Sequence, residues 1–124
     1  MTTFATLAVG GSALGVAVTG VLSALFMRDP VKAMVQTTHH PDQLPQVMAG
    51  RYIALTALAL GATLYGNMAV IAFLFAVFAF LGFADAVIYY RAGRPALKHV
   101  IAGGMATTVM AVAIAAFYQT GAPI

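Results

Sequence analysis

The chain has 124 residues, of which 62% are hydrophobic and only 7% are charged, and this balance excludes a water-soluble globular domain of that size. The formal net charge of +3 comes from loop residues, so it indicates topology and contact with anionic lipid head groups, and no nucleic-acid partner is expected. The chain has no cysteine, which excludes disulfide exchange, thiolate metal sites and cysteine nucleophiles.

Four apolar runs use most of the chain, and each is interpreted as one membrane crossing. The runs are Ala5–Met27, Tyr52–Leu64, Met68–Tyr89 and Val100–Phe117. About 20 apolar residues in a helix cross roughly 30 Å of hydrocarbon. We therefore predict an all-α membrane protein, a four-transmembrane-helix bundle that forms one domain over residues 1–124. The first run has neither the basic start nor the cleavage site of a signal peptide.

The charged residues and histidines all fall on one side of the membrane if each run crosses once. Lys and Arg next to short loops mark the cytoplasmic face, because moving them across the bilayer is unfavourable. We therefore expect both termini to face outward and the loops after helices one and three to lie in the cytoplasm. In a bacterium this membrane would be the inner one.

Two helices carry stripes of small or polar side chains at four-residue spacing. The stripe in helix one consists of Gly11, Gly15, Thr19 and Ser23. The stripe in helix four consists of His99, Gly103, Thr107 and Ala111. Such stripes let helix backbones approach closely in lipid. The Gly11–Gly15 pair favours packing within the bundle, with a homo-oligomer contact as the alternative.

The connection between helices one and two is predicted to contain a short interfacial helix. Asp29 can cap a helix that begins at Pro30, because proline at the first position lacks only a donor that would be unpaired anyway. We predict this helix over Pro30–Thr37, followed by an irregular segment, Thr38–Pro45, that covers a cytoplasmic-side pocket. Helix two is then expected to begin at Gly50, which makes the whole connection Arg28–Ala49.

Asp85 is the main candidate for chemistry, since it lies about 7–8 Å below the interface near the end of helix three. An isolated carboxylate at that depth costs about 2–3 kcal/mol and is usually paired or functional. Arg51 and His99 begin helices two and four on the same face. One interpretation is a buried Asp85–Arg51 ion pair that fixes helix register. The other is a catalytic site in which Asp85 is the base, Arg51 stabilises negative charge and His99 is proton donor or second base.

A substrate pocket is predicted beneath Asp85, because small residues on three helices lie at one depth. The residues assigned to substrate binding are Tyr52, Leu55, Phe78, Gly82, Tyr89, Gly103 and Thr107. Tyr89 lies one turn beyond Asp85 on the same helix face. The alternatives are that the glycines only permit tight helix contact and that the two tyrosines belong to the interfacial aromatic belt.

The sequence His39-His40-Pro41-Asp42 resembles a metal site at first sight. Transition-metal sites normally need a third fixed ligand, and no cysteine or glutamate is near. We therefore predict a solvated loop, with no metal and no cofactor.

A family resemblance rests on three stretches of the chain. They are Gly50-Arg51-Tyr52 through Gly61, Phe83-Ala84-Asp85-Ala86 with Gly93, and His99. This pattern resembles a family of small four-helix membrane proteins of bacteria and fungi that is known as a domain of unknown function, close to the DoxX-like group. The resemblance implies a four-helix membrane fold and a lipophilic small-molecule substrate. Tyr52 stands where an acidic residue is expected, which weakens any two-carboxylate mechanism.

These observations predict a small integral membrane protein with an Arg/Asp/His site on its inner face. The leading functional prediction is an acid–base enzyme of the isomerase, epoxide hydrolase or cyclase type that acts on a lipophilic small molecule. The alternative is a non-catalytic accessory or structural subunit of a larger membrane complex, in which the same three residues only lock the helices together.

Overall fold

The computed structural model describes residues 3–119, except for the side chains at positions 5, 8–10 and 12, and every regular element in this range is helical. The helices are α1 (Thr3–Arg28), α2 (Pro30–Gln36), a 3-10 turn (Pro41–Gln43), α3 (Leu44–Tyr65), α4 (Met68–Arg91) and α5 (Leu97–Gln119). The chain divides into two compact units, Met1–Gly50 and Arg51–Ile124.

Three of the described helical segments are long and apolar enough to cross a membrane. They are Pro41–Tyr65, Met68–Arg91 and Leu97–Gln119. A shorter apolar stretch, Ala13–Arg28, lies in α1. The predicted all-helical fold is therefore confirmed for the described residues, and three helices are suited to a membrane, whereas a fourth crossing and a single domain stay predictions. The chain ends, which we expect on the outer side, lie outside the described residues.

The predicted short helix after α1 is present as α2, which ends at Gln36, one residue before the predicted end at Thr37. The Asp29 carboxylate accepts a hydrogen bond from the backbone N–H of Lys32 at 3.0 Å, and Pro30 occupies the first position of α2. Ala33 is buried where α2 packs on α1. Along α1 itself, no other atom of the first unit comes within 4 Å of a Cβ added at Gly11 or Gly15, so these glycines are not in a tight contact inside that unit.

A strained residue follows the end of α2. Thr38 has a φ of +58°, the left-handed region that β-branched side chains rarely adopt. It is held there because the backbone N–H of His39 donates to the Met34 carbonyl at 2.8 Å and that of Thr38 donates to Val35. This pair of bonds is the usual way to close a helix with a left-handed residue, which is most often glycine.

Helix α3 begins at Leu44, so the predicted start at Gly50 is wrong. The segment predicted to be irregular, Thr38–Pro45, ends in the 3-10 turn and the first residues of α3. Pro45 is compatible with this start, because a proline in the first helical turn removes only an N–H that would have no partner in the helix. Arg51 therefore lies about 10 Å inside the helix and not at its head.

Helices α4 and α5 form a hairpin that is closed by a glycine. Gly93 has a φ of +67°, and the backbone N–H of Arg94 donates to the Tyr89 carbonyl at 2.9 Å while that of Gly93 donates to Tyr90. This arrangement ends α4 cleanly, and α5 starts at Leu97. At the other end of α4, the Asn67 side chain caps the helix.

Small side chains make the contact between α4 and α5. The buried residues are Ala79, Gly82 and Ala86 on α4 and Gly103, Ala106 and Ala113 on α5. Within the second unit, α3 packs against neither of these helices. Large apolar side chains are exposed on all three helices, as expected where lipid is the solvent.

Candidate functional site

An acidic and a basic side chain from the two packed helices meet near the closed end of the α4–α5 hairpin. Asp85 lies about 9 Å before the last residue of α4, and His99 lies in the first turn of α5. The Asp85 Oδ2 and His99 Nδ1 atoms are 3.8 Å apart. This distance permits an ion pair when the imidazole is protonated, but it is longer than a hydrogen bond. The predicted proximity of these two residues is therefore present in the structure.

Both members of this pair are accessible from outside the hairpin. About 45% of the Asp85 side chain and 29% of the His99 side chain are exposed. The contact between α4 and α5 therefore covers neither side chain completely. It also leaves polar atoms that a bound molecule can reach, which a fully buried pair would not offer.

Tyr89 completes the cluster by stacking on His99. The two ring centroids are 4.6 Å apart and the rings are inclined by only 14°. Tyr89 follows Asp85 by one helical turn, so both side chains project toward the start of α5. The stacked ring restricts the orientation of the imidazole, whose Nδ1 atom is the one that lies nearest the Asp85 carboxylate. We call Asp85, Tyr89 and His99 the hairpin cluster.

The helix contact beneath the hairpin cluster is very close. A Cβ added at Gly82 would lie 2.6 Å from the Gly103 nitrogen, 2.8 Å from the Gly103 Cα and 3.2 Å from the His99 carbonyl oxygen. All three atoms belong to the backbone of α5, so they cannot move independently of that helix. At Gly82 the two helices touch, which supports the packing alternative and leaves no space for a ligand at that point.

Gly103 is covered by an aromatic ring. A Cβ added there would lie 2.9 Å from Cδ1 and Cε1 of Phe83. The ring occupies the volume that a side chain at this position would need. Gly103 therefore accommodates a neighbouring side chain, whereas Gly82 accommodates the α5 backbone itself.

The residues predicted on helix two are not brought to this cluster. Arg51, Tyr52 and Leu55 lie on α3, which packs against neither α4 nor α5 within the second unit. Arg51 is exposed and has no ion pair among the described residues. The described residues, 3–119, thus contain no buried Asp85–Arg51 pair, and a joint role for Arg51 with Asp85 stays a prediction.

Two further pocket candidates have local contacts of their own. The Thr107 hydroxyl donates to the Gly103 carbonyl at 2.9 Å, a bond inside its own helix. Phe78 packs against Phe75 with ring centroids 5.3 Å apart. Neither contact involves the hairpin cluster, and their assignment to substrate binding stays a prediction.

The double histidine has a structural contact of its own. The His39 Nδ1 atom lies 2.8 Å from the Thr37 Oγ1 atom. The Thr37 hydroxyl oxygen also lies 2.8 Å from the Ala33 carbonyl oxygen, so His39 is tied to the end of α2 through Thr37. Among the described residues, no group of three or more His, Cys, Asp or Glu side chains is placed to hold a metal ion.

The buried face of α5 differs from the face that the sequence predicted. The sequence placed His99, Gly103, Thr107 and Ala111 in one stripe, whereas the buried face of α5 contains Gly103, Ala106 and Ala113. Steps of four residues rotate by about 40° around a helix each time, so a long stripe of that spacing leaves the contact. Alternating steps of three and four residues, as in Ala79, Gly82 and Ala86, were the signal that would have identified the face.

The chain was also compared with known proteins. No family model matches it, and neither a curated protein nor a solved structure matches it significantly. The chemistry available to the site therefore follows from its own groups: a carboxylate that can accept a proton, an imidazole that can donate or accept one, and a phenol stacked on the imidazole.

Proposed function

We propose that this protein is a small membrane enzyme that performs acid–base chemistry on a lipophilic molecule at the hairpin cluster. The observation that supports this most is the 3.8 Å approach of Asp85 to His99 at partly exposed positions on two helices that are suited to a membrane. Catalytic hydrogen bonds are often long before substrate binds, so this separation is compatible with a working pair.

The proposed chemistry uses Asp85 as base and His99 as proton donor. In an isomerisation, Asp85 removes a proton from one substrate carbon and His99 delivers one to another. In an epoxide opening, Asp85 takes the proton of an attacking water or internal hydroxyl while His99 protonates the oxygen that leaves the carbon. Tyr89 holds the imidazole and is a positioning residue. Arg51 would join this site only if α3 docked beside α4.

Asp85→Asn tests the proposal. General acid–base groups contribute roughly 10²–10⁴-fold to rate, so turnover should fall at least about 100-fold. The variant should still insert and fold, so that the loss of turnover is separated from a loss of structure. The measurement compares, by mass spectrometry, apolar extracts of host cells that carry the unchanged protein or the Asp85→Asn variant. In the variant, the substrate should accumulate and the product should disappear.

Matched controls come from the double-histidine loop. Asp42→Asn and His40→Gln make the same chemical changes at exposed residues that do not belong to the hairpin cluster, and they should leave the extracts unchanged. His99→Gln should reproduce the Asp85→Asn profile. If Asp85→Asn and Asp42→Asn give identical extracts while both proteins are folded, the enzyme proposal fails.

A non-catalytic accessory protein is the second candidate, and the surface of α3 favours it. Large side chains on this helix, including Ile53, Leu60 and Leu64, are exposed, and the helix packs on no other helix of its unit. A larger membrane complex could cover such a helix. In this case Asp85→Asn should leave all metabolites unchanged, and the full-length protein should co-purify in mild detergent with the same stoichiometric partner when Asp85 is replaced.

We also propose an orientation with both termini outside and the α4–α5 loop in the cytoplasm. The support is the distribution of Lys and Arg, which mark the cytoplasmic face. A tag at either terminus should be accessible in intact cells, and a tag inserted after Gly93 should be accessible only after permeabilisation. A terminal tag that needs permeabilisation would overturn this topology. We further propose that the chain belongs to the family of small four-helix membrane proteins that is close to the DoxX-like group; the support is Arg51, Asp85 and His99 and their spacing in the sequence.

A further inference from the structure

The α4–α5 loop has a concentration of positive charge that no other part of the chain shares. Arg91 ends α4, Arg94 lies in the turn and Lys98 is in the first turn of α5. All three are exposed, and none has an ion pair among the described residues. The segment from residue 91 to residue 98 contains no Asp or Glu.

The rest of the chain is electrically balanced. Arg28 and Lys32 are matched by Asp29 and Asp42, and Arg51 is matched in number by Asp85. The three cations of this loop therefore equal in number the formal net charge of +3. To orient the protein in a membrane, basic residues are needed only in the cytoplasmic loops. Orientation does not require three of them in a single turn.

The position of the loop defines which ligand it meets. It joins two helices that are each long and apolar enough to cross a membrane, so the loop lies where the hydrocarbon gives way to head groups. Tyr90, exposed at the end of α4, is typical of that interface. The backbone of the turn is held by two hydrogen bonds, which the N–H groups of Gly93 and Arg94 donate to the end of α4.

We propose that Arg91, Arg94 and Lys98 form a binding site for the phosphate head group of an anionic phospholipid. Guanidinium groups bind phosphate oxygens in pairs, and an ammonium group adds a point charge. Three unpaired cations on one short turn can surround one phosphate without displacing an existing carboxylate partner. The site is independent of the acid–base proposal, because it uses no residue of the hairpin cluster.

The test compares two double variants that remove the same charges. Arg94→Gln with Lys98→Gln alters the proposed site, and Arg28→Gln with Lys32→Gln removes one Arg and one Lys elsewhere. The purified full-length protein in a neutral detergent is titrated with phosphatidylglycerol or with phosphatidylcholine of the same chain length, and bound lipid is measured by native mass spectrometry.

Each cation near an anionic membrane lipid contributes about fivefold to affinity, so two should account for about 25-fold. The unchanged protein should prefer phosphatidylglycerol, and only the Arg94/Lys98 double variant should lose that preference. Equal losses in the two double variants would mean a general charge effect, and no preference in the unchanged protein would remove the site altogether. Glycerol phosphate at equal concentration should not compete, and effective competition would assign the site to free phosphate and overturn the lipid proposal.

Discussion

Gly82 allows α4 and α5 to come together, and its replacement by alanine is the most direct test of the hairpin. The added Cβ would lie 2.6 Å from the Gly103 nitrogen, whereas ordinary contacts of a Cβ begin at 3.4 Å. The helices would therefore have to separate by about 0.8 Å at this point, the difference between those two distances. Because the blocking atoms are backbone, no side-chain rotation can relieve the clash.

The free energy follows from two opposing effects. Forcing an extra methyl group into a close contact costs about 1–3 kcal/mol, and a backbone obstacle places the cost near the upper end. Alanine recovers about 0.5–1 kcal/mol relative to glycine in a helix. We therefore expect Gly82→Ala to lower the free energy of unfolding by about 2 kcal/mol, an about 30-fold shift in the folding equilibrium.

The assay is reversible unfolding in mixed micelles, followed by circular dichroism, with two other glycines as controls. Gly104→Ala adds its methyl group where no atom lies within 4 Å, so it should not destabilise the protein. Gly103→Ala should fall between the two, because the Phe83 ring that it meets can rotate. Equal unfolding free energies for Gly82→Ala and Gly104→Ala would refute the close contact.

Two predictions concern single residues that end or begin helices. Asn67→Ala should lower the free energy of unfolding by about 1 kcal/mol and speed amide exchange at Ala69 and Val70, because their N–H groups donate to the Asn67 side chain. Asn67→Asp should retain the cap. Unchanged exchange in the alanine variant would contradict the assignment. Thr38→Gly should stabilise the protein by about 1 kcal/mol in the same unfolding assay, because glycine adopts the φ of +58° without strain. Thr38→Ala keeps a Cβ and should gain less than glycine, so an equal gain would indicate another cause.

The elements that the sequence predicted well are those with local signals. Apolar runs identified α4 and α5, and an aspartate followed by a proline identified α2. The Asp85–His99 pair was also predictable, because a five-residue connection, Ala92–Ala96, returns the chain directly beside the end of α4. Residues on either side of a short turn must be neighbours.

The position of Arg51 could not be predicted in the same way. Its helix begins at Leu44, and Pro45 is tolerated there because it lies in the first turn. Arg51 is therefore in the second turn of the helix and not at its first residues. Which side chains lie beside Arg51 depends on how the helices associate. In lipid, this association is driven by the fit of small side chains rather than by exclusion of water. Alanines and glycines occur on each of the four long helices, α1, α3, α4 and α5, so composition does not specify which faces meet.

The close glycine contact and the acid–base pair are consequences of one helix register. In an antiparallel pair, placing Gly82 against Gly103 brings Ala79 level with Ala106 and Ala86 level with His99, and all of these alanines are buried. Asp85, next to Ala86, is then opposite the start of α5. A slip of one helical turn would move the two charges apart by about 5.4 Å and end their interaction. The absence of a side chain at Gly82 is therefore what permits Asp85 and His99 to meet.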